Sequence, residues 1–148
     1  MWPGGLLFPT MKSILFVAWL ILLLCFALAS CSSQAIYFQA KTWEGKSYKH
    51  GQGRKCADWV AHVVRKSGET PPSGYAKASS WMKWGRPVSR AAIMPGDVVI
   101  FKNTYKRGIS HIGIAIGDGK FIHRSTYRAP VKVDSLTGYS IAGVRRAI

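Results

Sequence analysis

The sequence predicts an α+β domain in which N-terminal helices pack on a small antiparallel β-sheet. Three observations predict it. A helical period runs through Cys56–Lys66, early in the chain. Past Pro95 come short β-prone stretches separated by Gly, Asp and Pro. Helices and strands are therefore segregated along the chain, which is the signature of an α+β domain with an antiparallel sheet. A length of 148 residues suits one domain, and 48% hydrophobic residues exclude a disordered basic tail.

The first element is apolar. Residues 14–29 form a run of 16 apolar residues, ILFVAWLILLLCFALA, preceded by Lys12 and followed by Ser30 and Cys31. A positive start, a short apolar run and a small-residue exit make a secretory signal over residues 1–30. The exit, Leu28-Ala29-Ser30-Cys31, resembles a bacterial lipoprotein signal, which implies cleavage before Cys31 and lipid on that cysteine. Met11 begins a more typical signal than Met1. Residues 31–42 read as a tether without periodicity, and the domain as residues 43–148.

Residues 43–55 are rich in Gly, Lys and polar residues and read as a loop. In Cys56–Lys66 the residues Trp59, Val60, Val63 and Val64 recur at three- and four-residue spacing, so an amphipathic helix is expected, ended by Gly68 and Pro71-Pro72. A shorter helix is expected over 76–85, carrying Trp81 and Trp84, which read as core. Pro95-Gly96-Asp97 is a turn. Strands follow at Val98–Lys102, 111–116, 120–125, 131–134 and 141–145.

Lys and Arg total 21 against 6 Asp and Glu, a net charge of +15. Removing residues 1–30 takes away only Lys12 and leaves +14. Such a surface seeks anionic partners. Three cysteines cannot all pair, which excludes a disulfide scaffold. Cleavage would remove Cys25 and lipid would occupy Cys31. Cys56 is then a lone thiol in an oxidising compartment, and its presence asks for a reason. A helix amino terminus lowers a thiol's pKa, and Cys56 opens the predicted helix.

A nucleophilic thiol needs a base, and the base an orienting group. His50 sits in a loop. His62 lies six residues beyond Cys56, roughly 120° off its helical face, and is a poor partner. His111 and His123 lie on two arms of one hairpin. A two-residue Asp118-Gly119 turn would set Ile114 opposite His123 and place the histidines on opposite faces. A three-residue Gly117-Asp118-Gly119 loop sets Ile116 opposite Lys120 and Gly113 opposite His123. The histidines then share a face as diagonal neighbours. The three-residue loop is the expectation, with Gly119 at positive φ. Gly113 and Ala115 would leave room on that face for the helix end carrying Cys56, while Ile112, Ile114 and Ile116 form a core stripe.

The segments Pro95-Gly96-Asp97-Val98-Val99-Ile100-Phe101, Ser110-His111-Ile112-Gly113-Ile114 and Gly117-Asp118-Gly119-Lys120-Phe121-Ile122-His123 resemble the NlpC-type family of bacterial cell-wall cysteine peptidases. The resemblance implies a papain-like fold with Cys56 as nucleophile, His111 as general base and His123 as the orienting residue. Trp43, Gly45, Tyr48 and Gly51 resemble the segment before the family's cysteine, which makes Tyr48 the match for an active-site tyrosine. The chain departs from the family's Asp-Cys-Ser-Gly with Lys55-Cys56-Ala57-Asp58, a more cationic surround.

The implied reaction is hydrolysis of an amide in peptidoglycan stem peptides, whose carboxylates suit Lys55, Lys106 and Arg107. The implied protein is a monomer without cofactor or metal, since no Cys/His spacing resembles a ligand set. It would be exported and held by lipid on Cys31 at an outer membrane, facing the periplasm. A non-catalytic cationic cell-wall binder, and a thiol acyltransferase or amidase of the same fold, are the competing readings. Nucleic acid is not an expected partner, as no aromatic-and-basic recognition motif is visible.

Overall fold

The computed structural model describes residues 11–49, 55–126 and 128–148. His50, Gly51 and the choice between Met1 and Met11 lie outside them. Helix α1 spans Met11–Lys41 and α2 spans Cys56–Lys66. The strands are β1 (Arg86–Pro87), β2 (Val98–Lys102), β3 (Ile109–Gly117), β4 (Lys120–Arg124), β5 (Val131–Ser135) and β6 (Ser140–Arg146). They form one antiparallel sheet in the order β1-β6-β2-β3-β4-β5.

The two faces of the sheet differ. Val98, Ile100, Ile112, Ile114 and Ile122 join Trp59, Val60, Val63 and Val64 of α2 in the main core. Val99, Phe101, Ala115, Phe121 and Val144 form a second cluster on the other face. The period of two along each strand makes this division, and the expected isoleucine stripe lies on the α2 side.

Of residues 31–42, expected as a tether, all but Thr42 lie in α1, and the helix packs into the domain. Ser33, Ile36 and Ala40 fall at helical spacing, and all three are buried. The stripe is narrow and two of its three residues are small, so it does not stand out from the sequence. Gly96 lies so close to the Ser33 carbonyl that a Cβ there would collide with it. Farther up the same helix Ile14, Leu15, Phe16 and Trp19 are exposed.

The expected helix over 76–85 is a 3₁₀ segment, Ala78–Lys83. Three residues per turn stack Trp81 on Trp84, whose rings meet edge-on at 5.3 Å. Their ring N–H groups donate to the carbonyls of Tyr75 and Thr70 at 2.9 and 2.8 Å. Strand β1 escaped the sequence reading because it is two residues long and includes a proline, tolerable only at a sheet edge.

The hairpin turn also differs. Gly117 pairs with Lys120, so the turn is the two-residue Asp118-Gly119, both at positive φ (52° and 66°). Asp-Gly is a favoured pair for that type I′ turn. A bulge between Ala115 and Gly117 then shifts the register, and Ile114 pairs with Ile122. The bulge restores the phase that the turn alone would have lost.

Candidate active site

Cys56 is the first residue of α2, and its helix start is secured by Asp58, whose carboxylate accepts the Lys55 N–H at 3.0 Å. The β3–β4 pairing reaches back only to Ile114 and Ile122. Past its end the backbone amide of Ile112 faces the Cys56 sulfur, as do the amides of Ala57 and Cys56 itself. Burial raises the thiol's pKa, and these three amides oppose that without cancelling it. The expected low thiol pKa is therefore corrected: desolvation outweighs the helix terminus.

His111 and His123 project from the face opposite the one α2 covers. His111 sits across from Phe101, and its ring lies near Phe101, Phe121 and Tyr139. The room at Gly113 is not for the helix. A Cβ there would lie 2.6 Å from the Phe121 ring and 3.1 Å from the His123 Cβ, so the missing side chain is what seats His123. Both histidines are fully buried.

The rings form a chain of hydrogen bonds. His111 Nε2 lies 2.6 Å from His123 Nδ1, and His123 Nε2 lies 2.9 Å from Asp134 Oδ2. Tyr139 donates its hydroxyl to the same carboxylate oxygen at 2.9 Å, and Lys132 approaches it at 2.9 Å. The remaining ring nitrogen, His111 Nδ1, is buried with no hydrogen-bond partner among the described residues. Burial, then the neighbouring His123, lowers the His111 pKa to about 3. Burial lowers that of His123 as well, against the pull of Asp134. Asp134 is itself held at about 2: hydrogen bonds from Lys132, Tyr139 and His123 overcome its desolvation. Desolvation and the bond to Asp134 lift Tyr139 to about 12.

A cleft of about 420 Å³ opens beside the thiol, lined by Lys55, Cys56, Lys77, Tyr105, Lys106 and Ser110 among others. Tyr105 links the two halves: its ring meets His111 edge-on at 5.1 Å, and it lies within electrostatic range of Cys56. Its hydroxyl donates to the Ser125 carbonyl at 2.8 Å. Three lysines and no carboxylate stand among the described lining residues, so an anionic ligand suits the cleft. Among the described residues no group of three His, Cys, Asp or Glu could hold a metal ion.

Of the residues singled out from sequence, Cys56, Lys55 and Lys106 line the cleft. Arg107 is exposed in the β2–β3 loop, outside its lining. Tyr48 is not among the lining either. It is buried against Trp43 and His62, with ring centroids 5.5 and 5.3 Å away, because three aromatic rings fill the space beside α2. Cys31 is exposed on α1. Sequence reasoning missed Asp134, Tyr139, Tyr105 and Lys77. Asp134 could have been found by carrying the register one strand farther: His123 pairs with Lys132, which makes Asp134 its diagonal neighbour on the same face.

Residues 42–144 match the NlpC/P60 family. The chain is 37% identical over 94 residues to the γ-DL-glutamyl hydrolase of Bacillus subtilis, covering 59% of this chain and 22% of that one. It is 37% identical over 91 residues to the protein of the same organism named "Probable peptidoglycan endopeptidase LytE", covering 57% and 25%. A crystal structure of an NlpC/P60 family protein from Bacillus cereus superposes with a TM-score of 0.62 at 27% identity, over 77% of this chain and 39% of that one. The chain thus spans about a quarter of the length of these curated relatives.

Proposed function

This chain belongs to the NlpC/P60 family, and from that premise we propose that it hydrolyses an amide bond in peptidoglycan stem peptides, with Cys56 as nucleophile, His111 as base and His123 as orienting residue. The observation that carries the reading is the buried, unpartnered His111 Nδ1 in a histidine pair that the Tyr105 ring joins to a cleft lined by Cys56.

At rest the proton stays on sulfur, since burial raises the thiol and lowers the imidazole. Attack on the carbonyl carbon forms the C–S bond while the thiol proton passes to His111 Nδ1. The Cys56 backbone amide is the oxyanion donor. Collapse expels the amine, which takes the proton from His111 and leaves a thioester. Water, deprotonated by His111, opens the thioester and restores the thiol.

Lys55, Lys77 and Lys106 favour stems that carry free carboxylates. The domain acts outside the cytosol, anchored through lipid on Cys31 after loss of residues 1–30, at an outer membrane and facing the periplasm. The exposed apolar residues on α1 support export of this segment into lipid. Mass analysis of purified stem peptides after incubation with the protein tests the reaction. Shorter stems are expected with the wild type and intact stems with Cys56→Ala; intact stems with both would overturn it.

A further inference from the structure

We propose that Asp134 is a positioning residue for the base, dictating through His123 which nitrogen of His111 carries a proton. The inference rests on His111 being the base. An ionised carboxylate only accepts hydrogen bonds. The 2.9 Å contact from Asp134 Oδ2 to His123 Nε2 therefore requires the His123 proton on Nε2. His123 Nδ1 is then a bare acceptor, and the 2.6 Å contact to His111 Nε2 requires a proton there. One nitrogen of His111 remains, Nδ1, and it must hold a lone pair. That atom is the buried one with no partner. Two imidazoles thus pass one acceptor's demand inward, and the base is left ready to take a proton.

The groups facing Asp134 keep it an acceptor. Tyr139 and Lys132 both donate to Oδ2, and ionised Asp134 also lies within electrostatic range of Tyr105. An asparagine at 134 removes the compulsion, because its amide can accept or donate. The alternative tautomer of His123 would donate from Nδ1 to His111 Nε2. The His111 proton would then move to Nδ1 and block the base. Asp134 and Lys132 act oppositely on the imidazoles, the carboxylate favouring the cation and the ammonium disfavouring it.

The test uses the full chain labelled with ¹⁵N-histidine, read by long-range ¹H–¹⁵N spectra near neutral pH, and kinetics on a defined stem peptide. In the wild type both histidines should carry the proton on Nε2. In Asp134→Asn the His111 signals should show protonation at Nδ1. The kcat of that variant should fall about 10- to 100-fold with KM within about twofold. The acidic limb of its kcat profile should move to lower pH, and that of Lys132→Ala to higher pH, a pair of opposite shifts that a loosened fold would not produce. His111 protonated at Nδ1 in the wild type overturns the proposal, and so does an Asp134→Asn protein with wild-type tautomers and kcat. Should Asp134→Asn not fold, the wild-type tautomers decide. The spectra need no substrate, so failure of the peptidase reading, seen as undiminished cleavage by Cys56→Ala, is distinguishable from failure here.

Discussion

Arg146 grips Asp97 with two hydrogen bonds, Nε to Oδ1 at 2.6 Å and Nη2 to Oδ2 at 2.7 Å, across 49 positions of sequence. Asp97 is fully buried and also accepts the Met94 N–H at 2.8 Å. The Pro-Gly-Asp turn is thus tied to the end of β6, which pairs with β2. Asp97→Asn removes the counter-charge of a mostly buried guanidinium and should cost about 3 kcal/mol in urea unfolding. A change below about 1 kcal/mol would mean that water replaces the pair.

Cys56→Ser should lose cleavage by about 10³-fold or more while circular dichroism stays native, because a hydroxyl does not ionise to serve as an anionic nucleophile. His111→Ala should fall comparably, since both thiol and leaving amine lose their proton carrier. His123→Ala should be milder. A double mutant should lose far less than the product of the single losses. Rates on a defined stem peptide check all four.

Gly113→Ala tests the seat of the histidine pair. The added methyl meets the Phe121 ring at 2.6 Å and the Ile122 carbonyl at 2.9 Å, so β4 and His123 must shift. Activity should drop about tenfold or more, with about 1–3 kcal/mol lost from stability. An unchanged rate would show that His123 has slack.

Acid should destabilise the fold in a defined window. His111 has a folded pKa near 3, below its ordinary 6.5. Its contribution is complete above about pH 6.5 and is lost as pH falls toward 3, because the unfolded chain binds the proton first. Asp134, held near 2 against an ordinary 3.8, loses its contribution between those values, in the same direction. Urea midpoints should fall steadily from pH 7 to pH 4, with a slope of up to about 1.4 kcal/mol per pH unit for each proton. A flat profile would mean that His111 titrates normally.

Charge at the cleft should appear in KM. Lys77→Glu, in the lining, should raise KM for a carboxylate-bearing stem peptide several-fold and weaken its salt dependence, leaving kcat within about twofold. Arg107→Glu, outside the lining, should change KM less. Equal effects from both would point to a diffuse field instead of a local one.

The legible parts were those with strong periods. Trp59, Val60, Val63 and Val64 mark α2, and β-prone runs bounded by Gly, Pro and Asp mark β2, β3 and β4. Histidine phase was legible as well, though its cause was not: the bulge at Ile116 leaves no mark in composition, whereas Asp118-Gly119 announces its own turn. Asp134 was hidden because the six residues between β4 and β5 give no phase for the strand that follows. Which face α2 would cover was hidden too, since a strand's alternation separates two faces without saying which one meets a helix.

The burial of Ser33, Ile36 and Ala40 fixes how far this domain could work from a bilayer. As a loose tether, the 12 residues 31–42 could pay out about 40 Å of chain. Wound into α1 as far as Lys41 and clamped against Gly96, they pay out almost none. With a lipid on Cys31, the domain would stand on the membrane like a fitting bolted to a floor, its cleft at one height and one heading. Its working radius would be its own width, a few tens of ångströms for a domain of this size. Only the wall layer nearest the lipid would come within reach, and strands farther out would have to be drawn in.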